Sequence, residues 1–239
     1  ESTVYENSHN NGACMNCHTP YKQQSAKTLF HVRTSNAGTY LMHDGIVERL
    51  EAKTDSAISG FVYPGWHPNG KLIAFSNNKT AQTFHISDPN RIEVFDSESD
   101  IVIYDLENHE VFSTPLLKDP AKWETYPTFS PDGKWLYFCS APPVKQVALN
   151  HEQVKYSLCR IAFDAEKRQF GTEVDTIISS TRDIAGKSVS FPRISPDGNF
   201  LVCTVHKCGN FSIWHKDADL YMMDLRGKEN ADVTGTPLK

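Results

Sequence analysis

Polar residues dominate positions 1–26, and from Leu29 onward short apolar runs alternate with turn signals. Leu29-Phe30-His31-Val32-Arg33, Thr39-Tyr40-Leu41-Met42 and Ile46-Val47-Glu48-Arg49-Leu50 read as three strands. Asn36-Ala37-Gly38 and Asp44-Gly45 divide them, which predicts a meander. Further strand patterns fall at 100–106, 110–112, 156–163, 176–178 and 219–225. Helical spacing of apolar residues is confined to short windows, so no long helix is expected. Residues 1–26 predict an extended arm lying on a body formed by residues 27–239.

A repeat then sets the architecture. Tyr63-Pro64-Gly65-Trp66-His67-Pro68-Asn69-Gly70 recurs as Tyr126-Pro127-Thr128-Phe129-Ser130-Pro131-Asp132-Gly133 and as Phe191-Pro192-Arg193-Ile194-Ser195-Pro196-Asp197-Gly198. An aromatic-Pro lead-in feeds a strand, a Pro-Asp/Asn-Gly turn and a second strand. Pro sets φ early in the turn and Gly takes the positive φ later. A polar segment and another strand pair follow the first two copies, and the third is followed by the strand at 219–225. Four strands per unit, repeated, predict an all-β propeller of four-stranded antiparallel blades.

The repeat resembles the TolB-type, WD-like propeller family over residues 59–234. The first copy departs from that pattern, with His67 for Ser and Asn69 for Asp. The resemblance implies a ring of about six blades, whereas the chain offers three whole units and a partial one at 28–51 that lacks a fourth strand. The expectation is an incomplete ring, with missing blades supplied by another polypeptide segment; a four-bladed ring is the alternative. The resemblance also implies an exported bacterial protein, and a periplasmic scaffold that binds partner peptides at the ring's mouth.

The chemistry-bearing motif is Cys14-Met15-Asn16-Cys17-His18. Cys-x-x-Cys-His is the attachment signature of haem c. The two thiols add to the two vinyl groups of one porphyrin, and His18 becomes the iron's proximal metal ligand. Two plainer readings stand beside it: a Cys14–Cys17 disulfide, and a zinc site completed elsewhere, since tetrahedral zinc wants four ligands. His31 and Met42 are the candidates for the sixth iron position, and Arg33 for a haem propionate. Pairing this motif with the repeat is similar to a group of exported propellers bearing a haem motif. The expected role is electron transfer with a protein redox partner, or small-ligand sensing; a haem-free scaffold is the alternative. Either role places the protein outside the cytoplasm, with a leader or membrane anchor expected ahead of Glu1.

Composition narrows the rest. The chain has 239 residues, 39% of them hydrophobic, and a net charge of −5. It holds no Lys/Arg run, so nucleic acid is not an expected partner, and no apolar stretch long enough for a membrane span. His85, His151, His206 and His215 fall in polar segments read as long loops at 77–99, 140–155 and 206–217. Such loops commonly carry binding function. Asp96-Ser97-Glu98-Ser99-Asp100 reads as a solvated acidic loop or a calcium site. Cys139 with Cys159, and Cys203 with Cys208, read as disulfides or as buried thiols. Hydrolase elbows, zinc-protease helices and nucleotide loops are absent from the sequence.

Overall fold

The computed structural model describes residues 14–33, 36–51, 60–87 and 92–226. Three four-stranded antiparallel sheets and one three-stranded sheet follow one another along the chain. Blade 1 holds β1 (Met15–Tyr21), β2 (Gln24–Val32), β3 (Gly38–His43) and β4 (Ile46–Leu50). Blade 2 holds β5 (Phe61–Trp66), β6 (Leu72–Phe84), β7 (Ile92–Asp105) and β8 (Glu110–Phe112). Blade 3 holds β9 (Trp123–Phe129), β10 (Trp135–Ala141), β11 (Ser157–Asp164) and β12 (Gln169–Ile178). Blade 4 holds β13 (Ser188–Ile194), β14 (Phe200–His206) and β15 (Asp219–Asp224). The first strands pack in chain order, β1 on β5, β5 on β9 and β9 on β13, as propeller inner strands do. The fold is therefore the all-β propeller arrangement that the repeat predicts.

Two sequence expectations change here. The motif segment is not a loose arm over its described part: residues 15–21 form β1, which pairs antiparallel with β2. Blade 1 thus has its fourth strand. Residues 77–84 and 92–99, expected within a loop, are strand. β6 and β7 run on as a ladder from Leu72↔Asp105 to Phe84↔Ile92. The outer half of β6 is exposed from Lys79, so it carries no apolar alternation.

The three corners follow the turn chemistry. Gly70, Gly133 and Gly198 have φ of 72°, 75° and 74°, and each donates its N–H to the carbonyl three residues back, on His67, Ser130 and Ser195. The Asn69, Asp132 and Asp197 side chains accept from backbone N–H two residues on. His67 replaces Ser with a consequence. Its Nδ1 accepts from Asn69 N–H at 3.2 Å, which leaves Nε2–H to donate to Gly133 O at 3.1 Å. The odd residue in the repeat links the corner of blade 2 to that of blade 3.

Between blades 1 and 2 the core holds Leu29, Leu41, Phe61, Ile73, Phe75 and Tyr104. Between blades 2 and 3 it holds Leu72, Ile101, Phe129, Leu136 and Phe163. Trp66, Phe129 and Ile194 all pack into these interblade layers or that between blades 3 and 4, as expected. β-Branched and aromatic side chains suit such pleated, two-sided burial. The outer face of blade 1 carries Met15, Tyr40 and Met42 over Phe30 and Val32. At the other end of the series, Leu220 and Met222 of β15 are exposed.

All six cysteines are free thiols, and of the two readings given for Cys139, Cys159, Cys203 and Cys208 the buried-thiol one holds. The register explains one case: Cys139 faces Leu158 while Cys159 faces Phe138, which turns the two thiols to opposite sides of the sheet. The acidic run 96–100 lies within β7 rather than in a loop. Asp96 is buried, Glu98 pairs with Lys79 at 2.8 Å, and Asp100 is half-buried, so the three carboxylates do not converge on one ion. Glu124, on inner strand β9, is fully buried, and neither of its carboxylate oxygens has a hydrogen-bond partner among the described residues. Burial pushes its pKa up to about 8; Asp100 and Asp119 act in the same direction and Lys122 against it.

Candidate functional site

Two places bring chemistry to the ring's axis. The first is the motif strand. Cys14 is exposed, and its carbonyl accepts from Arg33 N–H at 2.9 Å. Cys17 has φ of 53° at a register break between Asn16 and Thr19. Non-glycine residues seldom adopt that conformation, yet Tyr63, Tyr126 and Phe191 adopt it too, with φ of 50°, 56° and 51°, at breaks in β5, β9 and β13. Each of those three is followed by Pro; Cys17 is followed by His18. The repeat therefore has a fourth copy, disguised, in which Cys-His stands where aromatic-Pro stands elsewhere. Such bulges re-aim side chains. The three rings meet, Tyr63 to Tyr126 at 4.5 Å and Tyr126 to Phe191 at 4.3 Å between centroids.

Cys17 is half-buried beside the Tyr63 backbone. Burial pushes its thiol pKa up, while the Arg33 charge and the backbone contact oppose this. His18 is exposed. His31 lies opposite Asn16 in the ladder, with Nδ1 3.2 Å from Thr39 Oγ1. Its pKa is lowered by burial and by Arg33. With its amide oxygen turned to the guanidinium, Asn16 accepts from Arg33 Nε and Nη2, each at 3.1 Å. Cys17, His31 and Arg33 are thus brought together. Met42 lies on the outer face, among Met15, Tyr40, Phe30 and Val32.

The second place lies on the loop side, opposite the corners. The β6–β7 hairpin supplies His85 and Glu93; a 3-10 turn, His151–Gln153, supplies His151; the segment after β14 supplies Cys208 and His215. Glu93 is buried at the centre. His215 Nε2 sits 3.2 and 3.1 Å from its two oxygens. His151 Nε2 and His85 Nε2 lie 3.7 and 3.9 Å from Oε2. These groups, with Glu152, Lys207 and Cys208, line a cavity of about 30 Å³. Behind it, His206 Nδ1 is 3.4 Å from His215 Nδ1. Burial, with His215 alongside, pushes the His206 pKa down to about 3. His206 Nε2 and His151 Nδ1 are buried without hydrogen-bond partners among the described residues.

Deeper along β7, Asp96 accepts from Asn78 Nδ2 at 2.8 Å, from Thr80 Oγ1 at 2.6 Å and from Asn210 Nδ2. Burial pushes its carboxyl up to about 7 against the Thr80 and Asn78 hydrogen bonds. The sequence marks His85, His151 and His215 only as separate loop histidines. It gives no sign of Glu93, a single acid in a polar stretch. The signal that could have revealed it is the His85…Glu93 spacing across a strand-length hairpin, once 77–99 is read as strands.

Large apolar side chains surround this cavity in sequence. Phe84, Ile86, Leu149, Ile213 and Trp214 are all exposed, and each lies within two residues of a cavity histidine. They come from blades 2, 3 and 4. On the corner side, a cleft of about 540 Å³ between blades 1 and 2 is lined by Lys27, His43, Glu48, Lys71, Glu107 and His109, mixed in sign.

No family model matches the chain, and no curated protein matches it. Among solved structures, the chain is similar to a TolB-like protein from Agrobacterium tumefaciens, with 17% identity and a TM-score of 0.58 over 95% of this chain and 64% of that one. It is also similar to an ancestral GH74 enzyme, with 12% identity and a TM-score of 0.52 over 90% of this chain and 26% of that one. The chain spans less than two thirds of either. At these identities the likeness concerns the fold alone, a β-propeller built of successive antiparallel blades.

Proposed function

We propose that this chain is an extracytoplasmic propeller module that binds a protein partner on its loop side. The observation that carries the reading is that Phe84, Ile86, Leu149, Ile213 and Trp214 are all exposed, come from three blades, and each lie within two residues of a histidine of one cavity. Scattered apolar residues on a surface need no explanation, but a group held together on a rigid scaffold marks an interaction site. The test is capture of envelope proteins from the producing organism with the intact chain, beside a Phe84→Ser/Ile86→Ser/Trp214→Ala variant. The expected result is a partner retained by the parent and by a corner-side Lys71→Ala/Glu107→Ala control, and lost by the triple variant. Equal capture by all three would refute the reading.

A second reading rests on the motif strand. Cys14 and Cys17 are both unpaired, and His18 is exposed. These groups fit covalent haem c: the thiols would tether it, His18 would ligate iron, and Arg33 and His31 stand nearest. Bound there, the group would supply electron transfer or small-ligand binding. Haem staining on a denaturing gel, after maturation in a host with the attachment machinery, should colour the parent and not Cys14→Ala/Cys17→Ala. A colourless parent beside a stained control cytochrome would refute it.

A further inference from the structure

We propose that His85, Glu93, His151 and His215 form a binding site for one divalent transition-metal ion of the zinc class. The site is distinct from the Cys-x-x-Cys-His strand. It lies on three blades and closes on a buried carboxylate.

The argument begins with donor chemistry. Three imidazoles and one carboxylate are a donor set that zinc takes up readily, whereas magnesium and calcium prefer oxygen alone. Geometry comes next. Zinc bonds of about 2.0–2.2 Å at tetrahedral angles separate neighbouring ligand atoms by roughly 3.3–3.5 Å. The separations from Glu93 are 3.1 Å to His215, 3.7 Å to His151 and 3.9 Å to His85, which bracket that value. One ligand atom each from His85, Glu93 and His151 falls within 4.8 Å of the others. Three donors therefore converge, and His215 Nε2, 3.1 Å from Glu93 Oε2, stands beside them as the fourth, to be drawn in by a side-chain adjustment. The cavity of about 30 Å³ holds a single ion or water and nothing larger.

The surroundings fit as well. Glu93 is 2% exposed, and a buried carboxylate needs compensation. Its nearest compensating groups are the imidazoles, while Lys207 at the rim is paired with Glu152 at 2.8 Å. His206 sits behind His215, so His215 Nδ1–H can donate to it while Nε2 offers its lone pair to the ion. A hydrogen bond on the far ring nitrogen orients a ligating histidine, and His206 takes the place that a carboxylate, carbonyl or water commonly fills. The ion needs His215 neutral with its single proton on Nδ1, toward His206, so that Nε2 faces Glu93 and the ion with a lone pair. With ligands from blades 2, 3 and 4, the ion would tie three blades together at the mouth of the axis.

The test uses the full chain carrying Cys14→Ser/Cys17→Ser, which removes the two motif thiols, after stripping with a chelator. Equilibrium dialysis against Zn²⁺ should load one ion per chain, and Zn²⁺ should raise the melting temperature. Adding His85→Asn/His151→Asn should weaken binding by more than about 100-fold, since changes even in outer-shell groups cost 10–100-fold. Adding His43→Asn, far from the site, should leave binding intact. Failure of the parent to retain Zn²⁺, or equal retention by the His85/His151 variant, would overturn the proposal. If that variant does not fold, the Co²⁺-loaded parent decides. Intense visible bands of tetrahedral nitrogen–oxygen ligation support the site, and the weak bands of an octahedral ion overturn it.

Discussion

Replacing Glu124 by Gln should flatten the pH dependence of stability. The folded pKa of Glu124 is raised from 4.5 to about 8 because its carboxylate is buried on β9 without hydrogen-bond partners among the described residues. Between those two values the folded chain holds one proton more than the unfolded chain. Stability therefore falls as pH rises, beginning near the unfolded value and levelling off above the folded one. Over the whole interval the loss is roughly 5 kcal/mol as an upper limit, a large share of a domain's net stability. Gln matches Glu in size and cannot ionise. Any cost of its unpaired amide is the same at every pH and cancels in the comparison. Asp100, half-buried and also raised, titrates in both proteins and largely cancels too. The assay is urea unfolding followed by tryptophan fluorescence at acidic, neutral and mildly alkaline pH. The variant should gain several kcal/mol on the parent between the acidic and alkaline ends. Parallel curves for the two proteins would show that the carboxylate is solvated or paired in solution and would refute the reasoning.

Gly65→Ala should destabilise the contact between blades 2 and 3. A Cβ there would lie 2.5 Å from Pro127 O and 3.1 Å from its carbonyl carbon, backbone atoms that cannot swing aside. The expected cost is at least about 1–3 kcal/mol in urea unfolding, against little change for Gly60→Ala, where the space is open. Ser188→Ala should cost about 1–3 kcal/mol in the same assay, because Ser188 Oγ donates to Gly209 O at 2.5 Å and accepts from Tyr156 N–H at 2.9 Å in a fully buried setting.

Much of the scaffold was legible because its signals are local. Pro-Asp-Gly corners and alternating apolar runs depend on neighbouring residues, and all three corners form as read. Errors arose where burial is set by the ring rather than by the strand itself. The segment Met15–Tyr21 lacks alternation and contains Pro20, yet it pairs because the axis needs a fourth inner strand in blade 1. Lys79–Thr83 is mostly polar because this part of β6 is solvent-exposed and demands no apolar alternation. The histidines were visible one by one. Their convergence on Glu93 depends on contacts about 60 and 120 residues apart, which only the radial packing of blades creates.

The shared bulge also bears on how the motif can change. Inserting or deleting one residue between Cys14 and Thr19 would slide β1 past β2, undoing the match of Asn16 to His31 and Thr19 to Leu29. The Cys-x-x-Cys-His spacing is therefore held by the ladder itself, apart from any demand that the proposed haem attachment would add. Nor could the motif be grafted onto β5, β9 or β13 in the same register, since Tyr63, Tyr126 and Phe191 already hold the matching position and fill the axis. Blade 1 is the one blade among those described where a thiol takes that place, beside the Tyr63 backbone of the next blade.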